Sequence, residues 1–285
     1  MRPVEKEFQL NSLKLAGKVW GDANGHPVLA IHGWMDNAAS FDLLAPLLTD
    51  CQVLAIDTAG HGFSDHLPAG SVYNIWSDIA DLFGVVDQMG WSTFSIIGHS
   101  RGANVGVLMA GSFPDRIKTL TIIDGGSPET VSAKKMPEIL AKSVLDKQNP
   151  RQPRKYSKRE DVIKLRTEGG ILQLTPTQAE LLAARGVSES NGEFYWHADQ
   201  KLKATSEMRL TPAILQSFYS NISAPVLGVF AEQGLANLFL ETPMQEEIKQ
   251  LDWHTLPGTH HFHMAESVEA IASLINNSYN QSLLK

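Results

Sequence analysis

The sequence predicts an α/β fold in which a mostly parallel central sheet is flanked by helices and carries a helical insertion. Five short, continuous apolar runs alternate with segments whose apolar residues have helical spacing. Uninterrupted apolar strands are typical of a parallel sheet that helices cover on both faces, since neither side of such a strand meets water. The five predicted strands are residues 28–31, 53–56, 94–97, 120–123 and 226–230.

The segments around these runs predict the rest of the core. Residues 8–20 alternate apolar and polar side chains, which is the pattern of an antiparallel hairpin at the edge of a sheet. Residues 72–89 and 103–113 have the spacing of amphipathic helices. We therefore expect a sheet that is mixed at one edge and parallel at its centre.

A polar, charged and helical segment interrupts this alternation. It begins after Gly126, and the apolar pattern resumes at Ala224. We interpret residues 127–222 as an inserted helical cap, and residues 1–126 with 223–285 as the α/β core. The charge agrees with this division, because the cap carries 15 Lys or Arg against 11 Asp or Glu, whereas the core carries 9 against 20.

Composition and charge exclude several classes of function. No stretch approaches the roughly 20 apolar residues that a membrane-spanning helix needs, and the first residues alternate charges instead of forming a signal peptide. We therefore expect a cytoplasmic protein with no membrane span. A net charge of −7 and the lack of a nucleic-acid-binding motif argue against a nucleic-acid partner. Cys51, the only cysteine, excludes an intrachain disulfide and is interpreted as a small core residue.

A serine lies between two glycines where a predicted strand meets a predicted helix. Gly98, Ser100 and Gly102 form the pattern G-x-S-x-G directly after strand 94–97. The sharp turn brings the residues two positions away from the serine against the backbone, where only glycine avoids a clash. We therefore predict Ser100 as a nucleophile at a helix N-terminus, with the N–H of Arg101 as one donor to a developing oxyanion.

The second oxyanion donor is expected in the loop after strand 28–31. That loop begins with His32, Gly33, Trp34 and Met35. Gly33 permits close approach of the backbone, so we assign the donor to the N–H of Trp34, with the N–H of Met35 as the alternative. His32 is expected to be a buried side chain that fixes the loop.

Three histidines near the C-terminus are candidates for the general base. A serine hydroxyl is a poor nucleophile at neutral pH until an imidazole accepts its proton. His260, His261 and His263 follow a short apolar run and precede a helical pattern. We predict His260 as the base because it lies nearest that run, with His261 second and His263 as a packing residue. No metal-ligand pattern such as H-E-x-x-H accompanies the cluster, so we expect neither a metal nor an organic cofactor.

The acid that orients the base is expected where a strand ends on the same edge of the sheet. Asp124 directly follows one of the predicted strands and is our predicted acid. Glu232, after the last of the five apolar runs, is the alternative, and a site without an acid is the third reading. The order Ser100, Asp124, His260 keeps the sequence nucleophile, acid, base.

Several motifs together resemble one protein family. Residues 32–42, residues 57–64 and the G-x-S-x-G turn are similar to those of the serine hydrolase-like protein family, which belongs to the α/β-hydrolase superfamily. The likeness continues through residues 180–186, 199–202 and 257–260. It implies an α/β-hydrolase fold with an inserted cap.

The resemblance also bears on the choice of acid. Many α/β hydrolases carry an aspartate where this chain has Gly234. The serine hydrolase-like family lacks that aspartate and keeps one equivalent to Asp124. Haloalkane dehalogenases are similar in architecture, but their nucleophile is an aspartate, so Ser100 at that position argues against halide displacement.

These observations predict a serine hydrolase that cleaves carboxylic esters by a Ser-His-Asp acyl-enzyme mechanism. The substrate is expected to be a small ester-like molecule, and the sequence specifies no oligomeric state. Carbon–carbon bond hydrolysis on the same triad is one alternative. A ligand-binding member of the fold with weak catalysis is another, and Gly234 is the residue that favours it.

The predicted cap is expected to roof the site and to set its specificity. Trp34, Met35, Trp196 and Phe218 are candidates for apolar lining, and each also suits a packed core. Residues 134–166 hold eleven Lys or Arg against four Asp or Glu. A roof that attracts anionic esters and a solvated helical face both explain these charges, and we favour the solvated face.

Overall fold

A central eight-stranded sheet organises the molecule, whose computed structural model describes residues 2–168, 172–235 and 244–283. The strands in these ranges are β1 (Val4–Gln9), β2 (Lys14–Trp20), β3 (His26–Ile31), β4 (Cys51–Ile56), β5 (Phe94–His99), β6 (Ile117–Ile123), β7 (Val187–Ser190), β8 (Glu193–Trp196), β9 (Val226–Gln233) and β10 (Leu251–Thr259). The sheet order is β1-β2-β4-β3-β5-β6-β9-β10, and β7 pairs with β8 separately. Pairing is antiparallel between β1, β2 and β4 and parallel elsewhere in the sheet. The predicted mixed edge and parallel centre are confirmed.

The parallel strands are buried on both faces, as their continuous apolar runs predict. In β3, Leu29 and Ile31 belong to one core cluster, whereas Val28 and Ala30 belong to the other. Successive side chains of a strand point to opposite faces of the sheet, so a single apolar run supplies both clusters. All four side chains are fully buried.

Helices cover both faces of the sheet. The helices of the described residues are α1 (Ser77–Gln88), α2 (Arg101–Ser112), α3 (Met136–Gln148), α4 (Arg159–Thr167), α5 (Pro176–Gly186), α6 (Pro212–Asn221), α7 (Met244–Glu247) and α8 (Val268–Leu283). Side chains of α1, α2 and α6 pack in the cluster that contains Leu29, and side chains of α8 pack in the cluster that contains Val28. None of these helices combines the length and the apolarity that crossing a bilayer requires.

The segment between β6 and β9 contains α3 to α6 and the β7–β8 hairpin. α5 begins at a capping box, in which the side chains and N–H groups of Thr175 and Gln178 bond reciprocally. α4 packs against α5 and β8 around a third apolar cluster that includes Ile163 and Leu182. α6, in contrast, packs against α2, and its Leu215 belongs to the core of the sheet. The predicted cap therefore includes one helix of the layer that covers the sheet.

Candidate active site

Ser100 occupies a strained turn between β5 and α2. Its backbone has φ 52° and ψ −116°, a conformation that costs about 1–3 kcal/mol in a residue with a Cβ. A Cβ at Gly98 would lie 2.5 Å from the N atom of Ala103, and a Cβ at Gly102 would lie 2.0 Å from the carbonyl oxygen of Ile31. Both glycines are therefore required by the turn, which leaves Ser100 partly exposed.

Asp124 and His260 lie together at the carboxyl edge of the sheet. Asp124 directly follows β6, and its Oδ2 accepts a hydrogen bond of 2.6 Å from Nδ1 of His260. The N–H groups of Leu235 and Ala231 donate to the same carboxylate at 2.8 and 3.2 Å. Because an ionised carboxylate can only accept, Nδ1 of His260 carries the proton and Nε2 presents a lone pair.

Burial and hydrogen bonding set the charges of this pair. Burial raises the pKa of Asp124, but the hydrogen bond and the charge of His260 outweigh it, so this pKa lies below the ordinary value of 3.8. Burial lowers the pKa of His260 below 6.5, although the hydrogen bond to Asp124 acts in the opposite direction. At neutral pH the pair is an ionised carboxylate beside a neutral imidazole, which is the state that accepts a proton from a hydroxyl group.

Gly234 provides the space that the carboxylate of Asp124 occupies. A Cβ at Gly234 would lie 2.3 Å from Oδ2 of Asp124, so a side chain at this position and the observed place of Asp124 exclude each other. Asp124 has φ 42°, a left-handed conformation that aspartate tolerates better than most residues. Glu232, the alternative acid, is exposed at the end of β9. The carboxylate that bonds to His260 is that of Asp124.

The backbone N–H groups of Trp34 and Met35, the two candidate oxyanion donors in the loop after β3, differ in their hydrogen bonding. The N–H of Met35 donates to Nε2 of His61 at 3.3 Å. The N–H of Trp34 has no hydrogen-bond partner among the described residues, which favours Trp34 over Met35 as an oxyanion donor. Arg101 is the first residue of α2, where the N–H has no partner within the helix. Its side chain is anchored to Asp78 at 2.6 Å.

His32 and Gly33 hold this loop in place. Nδ1 of His32 donates to the carbonyl oxygen of Gly33 at 2.7 Å, and Nε2 accepts from the N–H of Thr58 at 3.1 Å. Burial lowers the pKa of His32 to about 4, so the ring is neutral at pH 7. It is buried, as the sequence predicts. A Cβ at Gly33 would lie 2.9 Å from Nδ1 of His99, the residue before Ser100. The loop therefore packs directly against the serine turn.

Four histidine rings form one buried cluster beside the serine turn. The ring of His99 lies 4.6, 5.0 and 4.1 Å from the rings of His260, His261 and His263, measured between centroids. His99 Nε2 donates to the carbonyl oxygen of His260 at 2.9 Å, and His263 Nε2 lies 2.8 Å from Oγ of Ser40. Ring nitrogens of His99, His260 and His261 come within 4.8 Å of one another. His99, His260 and His261 each bond to protein through one ring nitrogen.

Asp36 connects this cluster to the segment between β6 and β9, and the sequence analysis did not identify it. Its buried carboxylate accepts from Nη2 of Arg166 at 2.8 Å and from Nε2 of His261 at 3.1 Å. Arg166 also donates to the carbonyl oxygen of Met35 at 2.8 Å. Burial raises the pKa of Asp36, but the charges and hydrogen bonds of its partners, led by His261, bring it well below 3.8. The only signal in the sequence was the place of Asp36 within the motif 32–42.

Replacing Arg166 with methionine is expected to destabilise the fold by about 2 kcal/mol, because it leaves a buried carboxylate with one partner fewer. The Arg166 side chain is 19% exposed and that of Asp36 is 1% exposed. Urea unfolding gives the difference in free energy. Arg159→Met is the matched control, since its pair with Glu180 is exposed and is expected to contribute no more than about 0.5 kcal/mol. Equal losses in the two variants would contradict the prediction.

A cavity of about 310 Å³ lies beside the loop after β3. Three of the four predicted apolar lining residues, Trp34, Met35 and Trp196, line it. Phe218 lies on α6, where its backbone packs against Gly111 of α2. The other lining residues are Leu165, Arg166, Leu172, Ala198 and Lys203.

Comparison with known proteins agrees with this architecture. Residues 26–233 match the family model of the alpha/beta hydrolase fold. A serine hydrolase-like protein of Danio rerio is 30% identical over 97% of this chain and 89% of its own length. The crystal structure of a hypothetical protein from Pseudomonas aeruginosa PAO1 has a TM-score of 0.88 and 36% identity, and the match covers 100% of both chains. A thioesterase domain from the curacin biosynthetic pathway shares the fold, with a TM-score of 0.82 and 21% identity over 96% of this chain and 99% of that domain. The chain belongs to the α/β-hydrolase superfamily and, within it, to the serine hydrolase-like protein family.

Proposed function

We propose that this α/β hydrolase cleaves carboxylic esters with Ser100 as nucleophile, His260 as general base and Asp124 as the orienting acid. The observation that carries the proposal is the 2.6 Å hydrogen bond between Asp124 and Nδ1 of His260, at the edge of the sheet where the serine turn lies. A buried carboxylate that fixes one imidazole nitrogen directs the other nitrogen, as a proton acceptor, toward the substrate side.

The chemistry follows from these positions. Nε2 of His260 accepts the hydroxyl proton as Oγ of Ser100 attacks the ester carbonyl, and the ionised Asp124 stabilises the imidazolium that forms. The N–H groups of Trp34 and Arg101 hold the negative oxygen of the tetrahedral intermediate. His260 then gives its proton to the leaving alcohol. Water attacks the acyl-serine by the same sequence of proton transfers and releases the acid.

We further propose that residues 127–222 form a cap over this site. Two contacts from this segment to the loop after β3 support the proposal, in addition to that of Arg166. The indole N–H of Trp34 donates to the carbonyl oxygen of Leu202 at 3.0 Å, and Nδ2 of Asn37 donates to the carbonyl oxygen of Leu182 at 2.9 Å. Exclusion of water by such a cover strengthens the hydrogen bonds that act on the reacting atoms.

Gly234 is the residue that favours a ligand-binding protein with weak catalysis, and in the structure the carboxylate of Asp124 lies beside it. Gly234 leaves the usual place of the acid without a carboxylate, and Asp124 fills the same space. A site with an acid, a base and a serine on a strained turn supports turnover over binding alone.

Covalent labelling with a fluorophosphonate probe tests the proposal. The wild-type protein is expected to gain one probe at Ser100, detected by mass spectrometry, and to hydrolyse p-nitrophenyl butyrate. Ser100→Ala and His260→Ala are expected to abolish both labelling and turnover. Ser112→Ala, on an exposed residue of the same helix, is the control and should behave as wild type. Folded wild-type protein that neither labels nor turns over would contradict the proposal.

A further inference from the structure

Both apolar and basic side chains line the cavity beside Trp34. Trp34, Met35 and Trp196 supply aromatic and aliphatic surface, and two basic side chains, Arg166 and Lys203, line the same space. Pockets of a few hundred Å³ with apolar walls and a few polar groups are typical of sites for small molecules. Arg166 and Lys203 differ in their hydrogen-bond partners, and this difference indicates which ligand the cavity binds.

Arg166 is already committed to protein acceptors. Its guanidinium donates to the carboxylate of Asp36 and to the carbonyl oxygen of Met35, both at 2.8 Å. These bonds balance its charge with a buried anion. Arg166 therefore holds the loop after β3 and leaves little capacity for a ligand.

Lys203, in contrast, has no carboxylate partner among the described residues. Its Nζ donates to the neutral Oε1 of Gln200 at 2.8 Å. The side chain is half-buried, and burial, followed by the charges of Arg151, Arg154 and Arg166, lowers the pKa of Lys203. A partly buried cation among other cations is destabilised until an anion reaches it.

The place of Lys203 links it to the proposed reaction. The preceding residue, Leu202, accepts the indole N–H of Trp34 through its carbonyl oxygen at 3.0 Å. The backbone N–H of Trp34 is the proposed oxyanion donor, and Trp34 and Lys203 both line the cavity. A ligand that occupies this cavity also meets apolar surface, because Leu165, Leu172 and Trp196 line it as well.

We propose that the substrate is an anionic ester, in which an apolar stretch separates the scissile carbonyl from a carboxylate that Lys203 binds. This inference rests on the proposed function. Lys203 lies outside the basic segment of residues 134–166.

Competition between two esters of the same length tests the proposal. The probes are mono-p-nitrophenyl adipate, which carries a free carboxylate, and p-nitrophenyl hexanoate, which is neutral. Wild-type kcat/KM is expected to be higher for the adipate. Lys203→Met is expected to reduce the ratio of the two kcat/KM values about tenfold, the effect of losing one hydrogen bond to a charged group. Lys164→Met, on an exposed lysine paired with Glu168, should keep the wild-type ratio. A ratio that Lys203→Met leaves unchanged would overturn the proposal.

A binding measurement separates this inference from the proposed catalysis. In Ser100→Ala protein, monomethyl adipate is expected to quench tryptophan fluorescence at lower concentration than dimethyl adipate, since Trp34 and Trp196 line the cavity. Lys203→Met in the same background should remove the difference. Charge-selective binding without turnover in the wild type would refute the proposed function alone. Turnover of neutral esters with equal binding of the two adipates would refute the anion site alone.

Discussion

Asp124→Asn is expected to reduce kcat for ester hydrolysis by about 10⁴-fold while the protein remains folded. The asparagine can donate to Nδ1 of His260, which favours the tautomer with the proton on Nε2 and removes its lone pair. It also removes the charge that stabilises the imidazolium. Rates with p-nitrophenyl butyrate, compared with those of the wild type, measure the loss. Glu232→Gln is the matched control and should retain activity, because Glu232 is exposed at the end of β9.

The assignment of Asp124 as the acid can also be tested by recovery of activity when the carboxylate is moved from position 124 to position 234. A side chain at Gly234 points into the space that Asp124 occupies, since its Cβ would lie 2.3 Å from Oδ2 of Asp124. The double variant Asp124→Gly with Gly234→Asp is therefore expected to recover at least about tenfold in kcat over Asp124→Gly alone. Gly234→Asp alone should be inactive or unstable, because two carboxylates then share one space. If Asp124→Asn keeps full activity, the assignment is wrong.

Acidification from about pH 7.5 to about pH 5 is expected to remove at least about 4 kcal/mol of stability, which is the contribution of two buried histidines alone. Burial lowers the pKa values of His32 and His261 from 6.5 to about 4. Below pH 6.5 the unfolded chain therefore binds protons that the folded chain does not. Stability is complete above 6.5 and falls as the pH drops toward 4, by about 2 kcal/mol for each ring at pH 5. Burial raises the pKa of Asp57, which offsets part of the loss at the acidic end.

Urea unfolding at the two pH values measures this effect. The expected loss is a large fraction of the roughly 5–15 kcal/mol that stabilises a typical protein, so the unfolding midpoint should shift clearly. His66→Asn is the control, since this ring is 48% exposed and the variant should show the wild-type difference between the two pH values. An unfolding midpoint that stays constant or rises on acidification would contradict the prediction.

The fold was predictable where a single local pattern determines it. The apolar run of β3 indicates burial on both faces, and residues 8–20 indicate the antiparallel edge, which the structure forms as β1 and β2. The boundaries of a cap were harder to predict. The spacing of apolar residues in α6 shows that this helix has one buried face, but it does not show which layer covers that face. Leu215 packs in the core of the sheet, and only the tertiary structure reveals this.

The candidate site likewise contains local features that the sequence predicts and long-range contacts that it does not. The glycines beside Ser100 and the position of Asp124 at a strand end are local features that sequence can carry. The bonds of Asp36 join residues 130 and 225 positions away in the chain, to Arg166 and His261. Side-chain pairs at such separations leave no periodic signal. The use of the Met35 amide by His61 was hidden for the same reason.

The segment between β6 and β9 and the loop after β3 are coupled by hydrogen bonds. Leu182 and Leu202 accept from residues 34–37 through backbone carbonyls, whereas Arg166 bonds through its side chain. A chimera whose exchanged segment lacks this arginine would leave Asp36 without that partner. The buried carboxylate of Asp36 makes that loss costly, because an unpaired charge in the interior destabilises the host. Exchange of this segment in this chain is therefore expected to preserve stability only if the incoming segment supplies a basic partner for Asp36, about 130 positions away from it in the sequence.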